Sequence, residues 1–361
     1  MKIGILTHYN VINNGATLQM FALKSWLEEK GHDVFILTYK KNFDYSEEAS
    51  KKYIPSFKNR LFIFKSYFLK GSPSLFFFKV KKHKIFNKFI KSHFSFVDYK
   101  SELDVVIVGS DEVFSLEVGC NKMMYGYGLN TNRVVSYAPS FGQTDIELIN
   151  KRNCFELISN GLKSFSSLSV RDKYSQKVVR ELINKECEIV CDPVILYDFS
   201  KVTCPVRPLK KKYILIYSYD KNMNSEEEVK SIKKYAKNRG LNIVSVGTYH
   251  KWCDKNINCN PVEWIEYFRN AEEVITDTFH GAILSMITQK KALFLRRSIN
   301  SNKINSLIEE FELNKFLVDK IDDKCLERFK ELVYDKDKIQ ELIKAKRAHS
   351  EAFLEKSLKN G

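Results

Sequence analysis

Short hydrophobic runs alternate with longer amphipathic segments along the chain, and this alternation is typical of strands followed by helices. A helical pattern covers Ala16–Lys30 and stops at Gly31, a residue type that commonly terminates helices. The strands predicted in the first half are Lys2–Thr7, Asp33–Tyr39, Asp104–Ser110, Arg133–Ser140, Ser167–Asp172 and Cys187–Pro193. Short apolar strands separated by helices indicate a parallel, doubly wound α/β sheet.

The same pattern starts again after TCPVRPLKKK, a segment rich in proline and basic residues that is typical of a linker. A charged helix is predicted over Ser225–Arg239. The strands predicted around and after it are Tyr213–Tyr219, Asn242–Thr248, the run EVITDT and Lys291–Arg296. Because 361 residues exceed one ordinary core, we expect two Rossmann-like domains facing across a cleft, at residues 1–205 and 206–361, the second ending in a long helix.

The positive charge of the chain is concentrated in one segment. The formal net charge is +15, and Lys51–Val97 contains twelve Lys or Arg residues, no acidic residue and thirteen Phe or Tyr residues. We therefore predict a basic aromatic helical insertion at about residues 51–97, with Phe86 and Phe89 on its apolar face. Such a helix suits an anionic membrane surface, and packing of its aromatic face on the domain is an equal alternative. No nucleic-acid partner is expected, since no nucleic-acid-binding module is recognised elsewhere.

The N-terminus and the cysteines indicate the compartment. MKIGILTHYN lacks the basic start, long apolar stretch and cleavage site of a signal peptide, so we expect a cytoplasmic protein. The eight cysteines are irregularly spaced, and neither Cys187/Cys191 nor Cys253/Cys259 matches a zinc-binding spacing. We expect buried, reduced thiols and no metal site.

Polar residues follow several predicted strands, at the sheet edge where open parallel sheets bind ligands. These residues are His8, Asn13, Asn14, Gly15, Gly109, Ser110, Asp111, Ser136, Ser140, Gly142, Arg171, Asp172, Asp277, Thr278 and His280. Each has a structural alternative as a turn or cap residue, but their recurrence at strand ends favours a site. The chain lacks a phosphate-loop motif, a dinucleotide fingerprint and a nucleophile elbow. What remains is a histidine at a helix start with arginine and small polar groups, which suits metal-free group transfer from a phosphorylated donor.

Six motifs in order resemble the polysaccharide pyruvyl transferase family over about residues 1–310. They are NNGATLQMFAL (Asn13–Leu23), VIVGSDEVF (Val106–Phe114), SYAPSFG (Ser136–Gly142), SVRDKYS (Ser169–Ser175), CDPVIL (Cys191–Leu196) and VITDTFHGAILSM (Val274–Met286). The resemblance implies two Rossmann-like domains in a GT-B-type arrangement. It also implies transfer of the enolpyruvyl unit of phosphoenolpyruvate, without a cofactor, to a sugar of a capsular, exopolysaccharide or cell-wall glycan, where it forms a cyclic ketal.

The resemblance also suggests roles for individual residues. His280 in the FHG motif is expected to be the general acid/base, and Arg171 in the VRD motif to grip the carboxylate or phosphate of the donor. Gly281 is expected to let the substrate approach the backbone, with Thr278 and Lys303 completing the donor side. The acceptor side is assigned to His8, Asn14, Ser110, Asp111 and Ser140. Lys303 stands where related sequences have arginine, and Arg296 or Arg297 is a candidate substitute.

Two other functions are consistent with the sequence. One is a nucleotide-sugar glycosyltransferase of GT-B architecture, although the second domain shows no clear acidic partner for a ribose. The other is a non-catalytic glycan- or lipid-binding protein of the assembly machinery, against which the retained His280 and Arg171 argue. If the acceptor is a lipid-linked sugar, the basic insertion would hold the enzyme peripherally at the inner face of the membrane.

Overall fold

The computed structural model describes residues 1–40, 43–44, 73–117, 121–297 and 301–359, the side chains of 301 and 302 excepted. The described residues form two compact units. Residues 1–40, 43–44, 90–117, 121–197 and 345–359 belong to the first unit, and residues 73–89, 198–297 and 301–344 to the second. The boundary therefore follows Tyr197, whereas the sequence placed it near residue 205.

The first unit contains a five-stranded parallel sheet. Its strands are β1 (Lys2–Leu6), β2 (Asp33–Leu37), β3 (Phe96–Val97), β4 (Val105–Val108) and β5 (Val134–Ser136). Their order is β3-β2-β1-β4-β5, and every neighbouring pair is parallel. A second parallel pair joins β6 (Ser169–Val170) and β7 (Glu188–Ile189). All four residues of β4 are buried, as expected of a central parallel strand covered on both faces.

Helices connect these strands along the chain. They are α1 (Asn14–Glu29), α2 (Pro73–His93), α3 (Ile146–Lys151), α4 (Phe155–Lys163), α5 (Lys173–Ile183) and α6 (Pro193–Leu196). Most of α2, residues 73–89, belongs to the second unit. The Asn13 side chain begins α1 by accepting hydrogen bonds from the amides of Gly15 and Ala16. Pro193 occupies the first position of α6, where its missing N–H costs nothing.

The second unit contains a six-stranded parallel sheet. Its strands are β8 (Tyr213–Tyr217), β9 (Asn242–Val246), β10 (Lys255–Ile257), β11 (Glu273–Thr276), β12 (Ala292–Leu295) and β13 (Leu317–Val318), in the order β10-β9-β8-β11-β12-β13. Its helices are α7 (Glu226–Asn238), α8 (Pro261–Arg269), α9 (Phe279–Ile287), α10 (Ser301–Glu310) and α11 (Asp323–Glu331). Two parallel sheets with connecting helices confirm the predicted α/β class.

The last helix, α12 (Lys336–Lys359), differs from the sequence-based division. The sequence placed all of residues 206–361 in the second domain, but residues 345–359 group with the first unit. The reason is specific hydrogen bonding: the Cys191 amide donates to Ser350 Oγ over 2.9 Å, and Arg347 Nε donates to the Ile195 carbonyl over 3.0 Å. These partners are about 150 residues apart in sequence, so a local pattern does not reveal them.

The predicted basic insertion is described only in part. Residues 51–72 lie outside the described residues, and the remainder is helix α2 followed by strand β3, so the insertion is not helical to its end. Phe78, Phe86 and Phe89 are buried, so the aromatic face of α2 packs on the protein rather than facing solvent. Within the described ranges, no helix combines the length and apolar character needed to cross a bilayer.

Both sheets place their first strand in the interior. The chain builds β2 and β3 on one side of β1 and then β4 and β5 on the other, and the second sheet repeats this arrangement around β8. The strand order therefore reverses between β1 and β4, and again between β8 and β11. In open parallel sheets, ligands bind outside the carboxyl ends of the strands at such a reversal.

Candidate functional site

In the first unit, a buried hydrogen-bond network lies at the strand reversal. Thr7 follows β1, and its hydroxyl donates to the Ser110 carbonyl over 3.0 Å. Gln19 Nε2 donates to Thr7 Oγ1 over 3.0 Å, and the Ser110 amide donates to Gln19 Oε1 over 3.3 Å. The Ser110 hydroxyl donates to the Ala138 carbonyl over 2.8 Å. Ser110 therefore fixes the loop after β4, and all of its polar groups named here are used within the protein.

Two predicted acceptor residues beside this network have unused hydrogen-bonding groups. Asn14 is fully buried at the first residue of α1, and neither atom of its amide bonds to any residue in the described part of the chain. His8 is half-buried, and its Nε2 likewise has no hydrogen-bond partner within the described ranges. Because burying an unsatisfied polar group is costly, these groups make this end of the sheet a candidate site for a polar ligand.

The loop after β4 needs glycine at position 109. Gly109 has a φ of +123°, and a Cβ built on it would lie 2.2 Å from the Tyr137 carbonyl oxygen. A larger residue would push the loops after β4 and β5 apart. The following residue pair, Ser110 and Asp111, is therefore held close to the end of β5, and Asp111 itself has a φ of +74°.

Ser140, a predicted acceptor residue, is buried, and its hydroxyl takes part in hydrogen bonds within the protein. It is 1% exposed, and its hydroxyl donates to Asp172 Oδ2 over 2.7 Å. Asp172 caps α5 by accepting the amide of Ser175 over 2.7 Å. The Gly142 amide donates to Ser140 Oγ over 3.1 Å. Ser140 thus joins the loop after β5 to the start of α5.

Arg171 belongs to the first unit and is paired with carboxylates. Its Nη1 lies 3.0 Å from Asp192 Oδ2 and 3.8 Å from Asp111 Oδ1. The Arg171 side chain is 2% exposed and that of Asp192 fully buried, whereas Asp111 retains 20% exposure. Burial lowers the pKa of Arg171, but the charges of Asp192, Asp111, Asp172 and Glu112 outweigh it and the pKa is raised. The guanidinium therefore stays charged and orients the more exposed Asp111.

In the second unit, β11 leads directly into α9 at the strand reversal. Thr278 caps α9 by accepting the Gly281 amide over 3.0 Å. Thr276 Oγ1 lies 3.0 Å from Thr278 Oγ1 and donates to the Tyr217 carbonyl over 2.6 Å. These contacts fix the start of α9 against the ends of β8 and β11.

The structure gives Gly281 a role in packing. A Cβ at this position would lie 2.2 Å from Thr276 Oγ1 and 2.6 Å from Thr278 Oγ1. The missing side chain thus lets α9 approach β11, and the Gly281 amide is already donated to Thr278. From the sequence, we expected this glycine to let the substrate approach the backbone instead.

His280 is the second residue of α9. Its side chain is half-buried, and its ring meets that of Phe279 edge-on at 5.4 Å between centroids. The N-terminus of a helix carries a partial positive charge, which favours anions nearby. His280 therefore lies where a proton-transfer group and a bound anion can meet.

Beside His280 in sequence, Asp277 is fully buried and ion-paired. Its Oδ2 accepts Nδ2 of Asn222 over 2.8 Å and Nε of Arg297 over 3.4 Å. Arg297 Nη2 also donates to Glu228 Oε1 over 2.8 Å. Burial raises the pKa of Asp277, and the nearby Ser218 hydroxyl, the hydrogen bond from Asn222 and the charge of Arg297 oppose that rise. The result is a cationic side chain, 29% exposed, held at the strand reversal by two carboxylates.

The basic residues after β12 differ in their surroundings. Arg296 is exposed, with its Nε donating to Asn305 Oδ1 over 2.9 Å and its Nη1 3.2 Å from Asp319 Oδ1. Lys303 is half-buried in the first turn of α10. Of the two arginines named as substitutes for Lys303, Arg297 is therefore the one tied to the site residue Asp277.

The predicted residues thus fall into two groups, one in each unit. His8, Asn14, Ser110, Asp111 and Ser140 lie in the first unit, together with Arg171, which the sequence assigned to the donor side. Thr278, His280, Gly281 and Lys303 lie in the second. Sequence reasoning missed Gln19, Asp192 and Asn222. Gln19 and Asp192 stand inside quoted motifs, whereas Asn222 lies in none of them.

A profile of known families decides the relationship. The profile described as polysaccharide pyruvyl transferase matches residues 13–299, which is most of the chain. The chain belongs to the polysaccharide pyruvyl transferase family. The match includes the helix start at Asn14, the Arg171 segment and the FHG segment, and it leaves out His8 and Lys303. Membership in this family implies a transferase of polysaccharide biosynthesis that acts on a sugar acceptor.

Other comparisons give distant matches to this family member. The glycotransferase of kitacinnamycin is 11% identical with a TM-score of 0.49, covering 98% of this chain and 95% of that one. The UDP-GlcNAc 2-epimerase of Methanocaldococcus jannaschii, in complex with UDP-GlcNAc and UDP, is 15% identical with a TM-score of 0.48, covering 96% and 99%. The calicheamicin glycosyltransferase CalG4 is 12% identical with a TM-score of 0.47, covering 99% and 98%. No curated protein matches the sequence.

Proposed function

We propose that this family member transfers the enolpyruvyl group of phosphoenolpyruvate to a sugar of a bacterial capsular, exopolysaccharide or cell-wall glycan precursor. The observation that carries the proposal is the position of His280. It is the second residue of α9, at the strand reversal of the second sheet and near the ion-paired Asp277 in sequence. This arrangement combines a proton-transfer group with a helix N-terminus suited to an anionic donor.

The reaction converts one phosphoenolpyruvate and two hydroxyls of one sugar into a cyclic ketal and phosphate. One hydroxyl oxygen adds to C2 of the donor while C3 gains a proton. Phosphate then leaves from C2, and the second hydroxyl adds there with loss of its proton. His280, as a general acid/base, supplies the proton to C3 and takes up the proton of the first hydroxyl, and the proton of the second hydroxyl leaves with the phosphate.

On the donor side, Arg297 is the strongest candidate for binding the phosphate or carboxylate. Asp277 and Glu228 hold its guanidinium at the strand reversal, and its 29% exposure leaves part of it accessible. A guanidinium can bind both oxygens of a carboxylate or phosphate, which an ammonium group cannot do. Thr278 and Gly281 shape this side by fixing the start of α9, and Lys303 adds positive charge.

On the acceptor side, Asn14 and His8 offer unused polar groups to sugar hydroxyls. An amide both donates and accepts, so Asn14 suits two neighbouring hydroxyls of one ring. Asp111 is the partly exposed carboxylate of this group, oriented by Arg171 and Asp192. Ser110 and Ser140 act through the loops that they hold. Arg171 accordingly positions Asp111. Arg297, and not Arg171 as expected from the sequence, is the residue proposed to bind the donor.

Product analysis tests this proposal. The protein is incubated with phosphoenolpyruvate and a panel of galactosides, glucosides and N-acetylhexosaminides, including lipid-linked forms, and products are examined by mass spectrometry. We expect one acceptor to gain the mass of a pyruvate ketal, with an equal amount of phosphate released. Products that gain a hexose from a nucleotide sugar instead would make the protein a glycosyltransferase. Absence of donor binding by calorimetry would contradict the proposal.

A further inference from the structure

Helix α2 has two opposite faces with different surroundings. At about 100° per residue, Phe78, Lys79, Lys82, Phe86 and Phe89 lie on one side of the helix. The opposite side carries Phe77, Val80, Lys81, Lys84, Lys88 and Lys91 within a stripe about 100° wide. The first side is held by the protein, and the second faces outward.

The held face makes specific contacts within the second unit. Lys82 Nζ donates to the Gly247 carbonyl over 2.7 Å, and Lys79 Nζ lies 2.9 Å from Asp220 Oδ2. The Phe78 ring meets that of Tyr249 at 5.4 Å between centroids. Asn258 Nδ2 also donates to the Phe78 carbonyl over 2.8 Å. These contacts fix the rotation of α2 about its axis, so the same side chains always point outward.

The outward stripe combines lysines with exposed apolar side chains. Phe77 is 64% exposed and Val80 is 39% exposed, both near the beginning of the helix. The four outward lysines are all exposed, and residues 73–93 contain no acidic residue. From Phe77 to Lys91 the stripe extends roughly 20 Å.

We infer that this stripe docks the protein on an anionic lipid bilayer. Lysines along one line attract acidic headgroups, while Phe77 and Val80 enter the boundary between headgroups and acyl chains. A single-stranded nucleic acid would need several aromatic rings interleaved with the lysines, and the stripe has one aromatic ring at its end. The inference concerns a surface and goes beyond the proposed reaction.

Vesicle sedimentation tests the inference without donor or acceptor. The full chain is mixed with vesicles of phosphatidylcholine alone or with added phosphatidylglycerol. We expect binding to the anionic vesicles that weakens as salt is raised. Each lysine at such a surface contributes about fivefold, so Lys81→Gln, Lys84→Gln and Lys91→Gln together should reduce binding on the order of a hundredfold. Phe77→Ser should weaken it independently.

A matched variant removes the same charge elsewhere. Lys163, Lys185 and Lys237 are exposed and lie outside α2, and replacing all three with Gln should leave most of the binding intact. Circular dichroism checks that both variants keep their helices. Equal losses in the two variants, binding to neutral vesicles, or tighter binding to a single-stranded oligonucleotide than to anionic vesicles would each overturn the inference. None of these results depends on turnover.

Discussion

Arg171 Nη1 lies 3.0 Å from Asp192 Oδ2, and both side chains are almost completely buried. Removing one partner of such a pair leaves a buried charge without compensation. We expect Arg171→Met alone to lower the free energy of unfolding by about 3–5 kcal/mol. The double variant with Asp192→Asn should lose less than the sum of the two single changes, as measured by urea unfolding. Additive losses would contradict a direct ion pair.

Gly281→Ala should destabilise the second unit, because the new Cβ would lie 2.2 Å from Thr276 Oγ1. Crowding of this kind typically costs about 1–3 kcal/mol. Adding Thr276→Ala removes that oxygen and should recover part of the loss in thermal unfolding. If Gly281→Ala is as stable as the wild type but inactive, the glycine serves substrate approach and the packing account fails.

Lys82 should make stability depend on pH in the alkaline range. Burial lowers its pKa to about 8, although Cys259 and Asp220 raise it in part and Lys79 lowers it again. Between about pH 8 and the ordinary lysine value, the unfolded chain holds the proton and the folded chain does not. Stability should therefore rise with pH in this window, by at most about 1.4 kcal/mol per pH unit.

Lys82→Met lacks this titration and serves as the reference. The difference in unfolding free energy, wild type minus variant, should increase between about pH 8 and pH 10 and stay constant below. Urea unfolding across that range measures it. A difference that stays flat throughout would mean that Lys82 keeps an ordinary pKa in the folded chain.

The two neighbouring arginines after β12 provide a matched pair for the donor site. Arg297→Lys keeps the charge but loses the planar fork, so the Kd for phosphoenolpyruvate should rise about tenfold or more in calorimetry. Arg296→Lys should leave it unchanged, since Arg296 contacts Asn305 and Asp319 instead. Equal effects of the two changes would remove Arg297 from the donor site.

The sequence predicts those features that depend on local pattern. The apolar runs locate the interior strands of both sheets but miss the short strands β3, β10 and β13. The VITDTFHG segment gives a helix that starts at Phe279 and carries His280 in its first turn. The predicted strand Arg133–Ser140 is shorter in the structure, ending at Ser136. The polar residues beyond it form the loop in which Ser140 binds Asp172.

Features that depend on distant contacts are not visible in the sequence. In the helical pattern, Lys82 looks like its neighbouring lysines. Only the structure shows that it donates a hydrogen bond to the carbonyl of Gly247, 165 residues away. In the same way, the sequence alone favours Arg171 as an anion-binding residue, and only the structure shows that it is paired with Asp192. The sequence alone favours Gly281 as a position where the substrate approaches the backbone, and only the structure shows that the Thr276 hydroxyl occupies the space beside it.

The central claim is that His280 performs the proton transfers of pyruvyl transfer. The most direct measurement is acceptor-dependent phosphate release from phosphoenolpyruvate by the wild type, by His280→Ala and by His349→Ala, the last being an exposed histidine paired with Glu188. We expect His280→Ala to lose about 10²–10⁴-fold in turnover while still binding the donor, and His349→Ala to match the wild type. Wild-type turnover in His280→Ala would contradict the account.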